Sequence, residues 1–206
     1  MKCPHCTVSF HEEWDNKNLG KDILYYWNVS SCICPDCRKI VVRLYNGVNN
    51  DWIVYPKSSS RGPIPVEVDD ASVISDYTEA CLVLNDSPKA SAALSRRSLQ
   101  HILREKVKVK SSDLYNEIQE VIDSNLLPAD LAGNLDIIRN IGNFATHPIK
   151  SKSTGEIVEV EPGEAEWNLE VLEELIEYTF VRPAKSLAKK QELNQKLVDA
   201  GKQPIK

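Results

Sequence analysis

Hydrophobic and polar positions follow two different rhythms along this chain, and the change falls between residues 56 and 69. Before it, "KIVVRLY" (39–45) and "DWIVYP" (51–56) are short and rich in β-branched and aromatic residues, with the turn-forming "NGVNN" between them. "YYWNVSSC" (25–32) has the same character, so the pattern predicts a small β module over residues 1–55. "PKSSSRGPIP" then has the composition of a linker, assigned to 56–69.

From residue 70 the period becomes helical. Val73, Ile74, Tyr77, Cys81 and Leu84 share one face of a first helix. Ser87 and Pro88 supply a cap and a first helical position for a second, which the pattern carries to about Lys106. A third places Leu114, Ile118, Val121 and Ile122 together, and a fourth opens near Pro128 and runs to His147, where Pro148 stops it. A last core helix begins near Gly163 with Trp167, Val171, Leu172, Leu175 and Ile176. Arg182-Pro183 is expected to interrupt it, ahead of a polar segment over 182–206. No internal repeat is present. The fold class is therefore mainly α, a helical bundle over 70–181 behind a small N-terminal β module.

The 206 residues carry a formal charge of −5, which argues against a general nucleic-acid binder of the strongly basic kind. The charge is blocked, however. Residues 89–110 hold seven bases and one Glu, whereas 156–177 hold nine Glu and no base, and the C-terminal segment is basic again. The N-terminus has no signal-peptide core and the chain has no apolar run long enough to span a membrane, so a cytoplasmic protein without membrane contact is expected.

Five of the six cysteines precede residue 38. "CPHC" and "CPDC" are matching knuckles separated by 27 residues, the spacing by which two turns deliver four thiolates to one ion. Cys3, Cys6, Cys34 and Cys37 are assigned as ligands of one zinc per chain. A shell filled by four thiolates has no open position for water, so this zinc is structural and stabilises a module too small to fold on apolar burial alone. Cys32 lies close enough to compete for a place, His5 and His11 could substitute, and a redox pair at each knuckle is the non-metal reading. Trp27, Trp52 and Tyr55 are either the module's small core or contacts for a partner. Cys81, on an apolar helical face, reads as a packed residue.

"LDIIRNIGNFATHP" (135–148) sets polar chemistry into an apolar helix. At about 100° per residue, Leu131, Leu135, Ile138, Ile141 and Ala145 share one side, while Arg139, Asn143 and His147 stack along the opposite edge beside Asp136 and Asn140. Arginine offers a fork matched to phosphate, and histidine exchanges a proton near neutral pH. On spacing alone the same row also fits a solvated face whose last histidine meets the helix dipole. Arg97, His101 and Arg104 form a second row on the Ser87 helix, and Arg97 and His101 are the natural partners of the first row in an anion-binding groove. The wide apolar face around Gly142 suggests a homodimer in which two copies of the fourth helix approach each other.

"SPKASAALSRRSLQHILRE" (87–105), "DLYNEIQEVIDSNLLPADLAGNLDIIRNIGNFATHP" (113–148) and "LEVLEELIEYTF" (169–180) resemble a widespread bacterial and archaeal family of unknown function. Its members stand alone, often behind a Cys-x-x-Cys module, or are fused to restriction-enzyme subunits. The family is assigned to the HEPN superfamily, prominent in toxin–antitoxin, restriction and anti-phage systems. The resemblance spans roughly residues 63–181 and implies a HEPN-like bundle behind a zinc-ribbon-like module. Active members of that superfamily are metal-independent ribonucleases with an Arg, a polar residue and, four to six residues on, a His, two copies meeting across a dimer. Carried onto this chain, Arg139 with Asn140 and then His147 take those places as catalytic residues, Arg139 holding the scissile phosphate and His147 moving the proton of the RNA 2'-hydroxyl. Seven residues separate Arg139 from His147 here, longer than that pattern. Arg97, His101, Asn140 and Asn143 are the accompanying ligand-binding residues.

Two functions follow as expectations. The first is an RNA- or nucleotide-binding protein of a defence, restriction or toxin–antitoxin system, with endoribonuclease chemistry as its active form. The other is a non-catalytic interaction or regulatory module that docks a restriction or toxin–antitoxin partner protein.

Overall fold

The computed structural model describes residues 1–6, 8–48, 51–57, 59, 61–141 and 160–205, and of residues 140 and 141 the backbone alone. The chain divides into two compact units, Met1–Ser60 and Arg61–Lys206.

The first unit is one antiparallel sheet in the order β1 (Asp15–Lys21), β2 (Tyr26–Ile33), β3 (Ile40–Tyr45) and β4 (Asp51–Tyr55). β1 has no counterpart in the sequence reading, because "DNKNLGK" contains almost nothing apolar. It is an edge strand held from the side. Asp22 closes the hairpin to β2 by accepting the N–H groups of Leu24 and Tyr25 at 2.7 and 2.6 Å and the indole N–H of Trp27 at 2.6 Å. Within the pairing, Gly20 sits at φ 120 beside a register shift, a conformation that favours glycine. One face of the sheet buries Ser30, Cys32 and Val41, and Arg43 stacks on Trp14 and Tyr45 at 4.3 and 5.0 Å. On the other, Trp27 and Trp52 stack at 5.9 Å.

The second unit is helical, comprising α1 (Ala71–Val83), α2 (Pro88–Ile102), α3 (Leu114–Asp123), α4 (Ala129–Ile141), α5 (Pro162–Ile176) and α6 (Arg182–Asp199). Side-chain caps start the early helices. Asp70 accepts from the N–H groups of Ser72 and Val73, Ser87 from Ala90, and Asp113 from Asn116. Glu161 and Glu164 form a capping box at α5. α2 packs against both α1 and α5, and α4 packs against α3 and α5. The core runs from Val68 to Phe180 through Leu99, Ile102, Ile118, Leu135, Ile138, Leu169 and Leu172. Arg61 belongs to this unit, its guanidinium 2.7 Å from Glu173, whose other oxygen accepts from Tyr77 at 2.7 Å.

The expected break at Arg182-Pro183 does not occur. α5 runs through a π turn (Glu177–Val181) directly into α6, and the amide of Arg182 donates to Glu177. A π turn inserts one extra residue, so the carbonyl a proline ring would strike moves aside and the missing N–H goes unrequired. Pro183 therefore opens α6 instead of ending α5. A second π turn, Leu103–Val107, closes α2, with Lys108 left-handed at φ 68. Among the described residues no helix is long and apolar enough to cross a membrane.

Candidate functional site

The two knuckles converge. The Cys3 and Cys37 sulfurs lie 3.8 Å apart, those of Cys6 and Cys34 3.7 Å, and all four fall within 4.8 Å of one another. No pair is bonded, since all are free thiols. Local backbone chemistry makes each turn. The amide of Cys3 donates to Val8 at 2.9 Å, and that of Cys34 to Lys39 at 3.0 Å, with Arg38 left-handed at φ 60. His5 is not a fifth donor: its Nε2 contacts the Ile40 carbonyl at 2.9 Å, tying the first knuckle to the start of β3. Cys32 is buried in β2 and stands outside the cluster, as does His11.

The thiols feel one another. Burial opposes ionisation of Cys3, but the N–H groups of His5 and Cys6 and the neighbouring thiols outweigh it and bring its pKa to about 7. Cys6 goes the other way. The Val8 N–H favours its thiolate, yet burial and the three other cysteines push it up to about 12. A cation among the sulfurs would satisfy all four at once, so this cluster can hold a metal ion.

The polar row of α4 has a different setting. Arg139 is largely enclosed, its side chain 12% exposed. It lies 2.5 Å from Asp136, donates to Gln119 at 2.8 Å, and stacks on the Tyr115 ring at 4.4 Å. It thereby joins α4 to α3. Asn143 and His147 lie outside the described residues, as does the side chain of Asn140.

Arg97 and His101 have partners other than those of Arg139. Arg97 donates to Asp76 of α1 through Nε at 2.7 Å and makes a second contact to the same carboxylate. His101 Nε2 meets Asp70 at 2.8 Å. Arg104, third in that row, donates to the buried Glu117 of α3 at 2.7 Å. The counter-charges are thus single acids, Asp76 and the cap Asp70 at α1 and Glu117 on α3.

Sequence reasoning passed over Arg96. It is half-buried, donates to the Ile138 carbonyl at 3.4 Å, and has no carboxylate partner among the described residues. Burial alone displaces its pKa, downward, with nothing opposing. Ser91, Ser98 and Asn168 are buried polar residues of α2 and α5 whose side chains also lack a partner among the described residues. The signal was the doubled arginine of "SRRSL". Adjacent residues point about 100° apart on a helix, so only one of the two can reach Asp76.

Neither a curated protein nor a solved structure matches the chain. One family pattern does, over residues 78–196, from within α1 to within α6. That is more than half of the 206 residues, and the chain belongs to the family described as Domain of unknown function (DUF4145).

Proposed function

We propose that the protein is a HEPN-like helical module, carrying a structural zinc, that engages RNA or a nucleotide through phosphate in a bacterial or archaeal defence, restriction or toxin–antitoxin system. The observation that carries the proposal is Arg96. Desolvating a guanidinium without a carboxylate is costly unless an anion completes it, and arginine's planar fork suits a phosphate. Arg96 also sits beside Ile138, immediately before Arg139-Asn140 of the "RNIGN" stretch. Family membership and the helical fold support the HEPN-like assignment.

Zinc is the metal the donors fit. Four sulfurs at about 2.3 Å from a tetrahedral ion lie about 3.8 Å apart. The observed 3.8 and 3.7 Å separations meet that requirement, and the closed thiolate shell makes the metal structural.

The test is binding of a mixed RNA pool and of free nucleotide by folded wild type, R96A and R97A. Arg96→Ala should weaken binding strongly and flatten its salt dependence. Arg97→Ala should do little, because Asp76 already occupies that guanidinium. Unchanged binding in R96A would overturn the phosphate reading. Cleavage is a further step, requiring His147 and a free Arg139. His147→Ala should then abolish metal-independent turnover and leave binding intact.

The second reading, a non-catalytic interaction or regulatory module for a restriction or toxin–antitoxin partner, is favoured by the enclosure of Arg139 between Asp136, Gln119 and Tyr115. It predicts no RNA or nucleotide binding by any of the three proteins.

A further inference from the structure

The helix that continues through Pro183 is polarised along its length. α5, the π turn and α6 contribute 15, 5 and 18 consecutive residues, about 57 Å at 1.5 Å per residue. α5 carries five Glu and no base, whereas α6 carries five Lys or Arg against Glu192 and Asp199. On α5 the core-facing side is buried, and the exposed positions past Gly163 are Glu166, Glu170 and Glu174. With Glu177 these acids occupy one strip within about 80° of arc. Arg182, Lys185, Lys189 and Lys196 occupy a similar strip on α6, also within about 80°. Lys185 reaches Glu177 at 3.7 Å in the same chain, so the two strips are continuous across the π turn.

α6 has no buried residue, although the family match extends through most of it. Most helical stability in proteins comes from packing of one face, and α6 buries no face against its own chain. A partner laid along it would supply that packing, and the charges indicate which. Arg61 is the base paired with Glu166, Glu170 and Glu173, one cation for three acids. The neighbouring groove beside α4 and α5 is rimmed by Asp130, Glu173, Glu174 and Glu177 against one base, Arg182, over Pro128, Leu131 and Tyr178.

We infer that residues 162–199 are a self-complementary dimerisation element, in which two copies of this chain lay their long helices antiparallel, the acidic α5 of each against the basic α6 of the other. The register is specific. With the two-fold axis between residues 179 and 180, Glu177 faces Arg182, Glu174 faces Lys185 and Glu170 faces Lys189 of the second copy. Glu166 lies within a turn of Lys196. Two-fold symmetry makes every pair twice. The lysine stems run over the apolar floor of the groove and their ammonium groups end at its rim. A parallel arrangement would set acid against acid and base against base, so the charges choose the orientation as well as the partner. This surface differs from the fourth-helix contact expected from the sequence, and it does not depend on RNA binding.

The test uses the full chain and charge reversal, read by sedimentation equilibrium across micromolar concentrations. Wild type should be a dimer that weakens with added salt. K185E/K189E and E170K/E174K should each be monomeric while retaining wild-type helical circular dichroism. Mixed in equal amounts, the two variants should recover a dimer, since each supplies the charge the other has lost. The milder K185Q/K189Q should weaken association about tenfold, four exposed ion pairs at a few tenths of a kcal/mol each. A wild-type monomer throughout, dimers in both reversed variants, or no recovery on mixing would overturn the inference.

Discussion

Asp70 does two tasks with one carboxylate. It caps α1 through the N–H groups of Ser72 and Val73, and it meets His101 of α2. Burial disfavours its charge, but the His101 hydrogen bond and the two backbone donors outweigh burial and hold its pKa below the ordinary value of 3.8. A carboxyl with a depressed folded pKa adds stability above its unfolded pKa, and that stability is lost as pH falls through the folded value. Asp70→Ala should therefore cost about 1 to 2 kcal/mol near neutrality. The gap from wild type should narrow as pH drops below about 3.8, where the wild-type carboxylate takes up its own proton. Urea midpoints at neutral and acid pH check this, and a gap unchanged by pH would show that the charge contributes nothing. The same scale separates Arg96 from Arg97. Asp76, which holds Arg97, is 21 positions away on another helix, and no local pattern foretells that pairing.

Elements were legible where one helix or strand carried its own signal. The periodicity of α1 to α5 and the cap at Ser87 are local, as is the alternation of β2, β3 and β4. β1 was not legible. Its strand character comes from pairing with β2 and from the Asp22 turn, not from its own polar residues. The continuation past Arg182 was hidden because a proline normally ends a helix, and only the π turn before it removes the conflict. Of the candidate site, the cysteine cluster was legible because ligand spacing is written in the chain, whereas the arginine pairings depend on packing between helices. The π turn makes a prediction. Pro183→Ala should change stability by less than about 1 kcal/mol, since the position lacks no needed donor. Proline at Leu175, inside α5, should cost about 3 kcal/mol or more. Chemical denaturation of both variants decides it, and a large loss in P183A would mean that the ring itself holds the turn.

At the scale of the whole molecule, the two units are stabilised by different means, and metal removal should separate them. The described core between Val68 and Phe180 draws on no residue of the sheet. Met1–Ser60 has instead a thin interior, chiefly Ser30, Cys32 and Val41 beside the cysteine cluster, while Ile23, Leu24, Ile33 and Trp52 remain exposed. So little apolar burial falls short of the ordering cost of about 60 residues, and a structural metal is the usual remedy at this size. The proposed zinc should bind with a stoichiometry near one per chain. Chelation should abolish the near-ultraviolet signal of the stacked Trp27 and Trp52 pair and open the first unit to protease, while the helical signal near 222 nm persists and melts as before. Replacing Cys34 with Ser should reproduce that state without chelator, because three thiolates and an alcohol lose the tetrahedral shell. Cys32→Ser, in contrast, should leave metal content unchanged, since that thiol lies outside the cluster. A folded, tryptophan-stacked first unit in protein shown to be free of metal would establish that the four cysteines need no ion to hold it together.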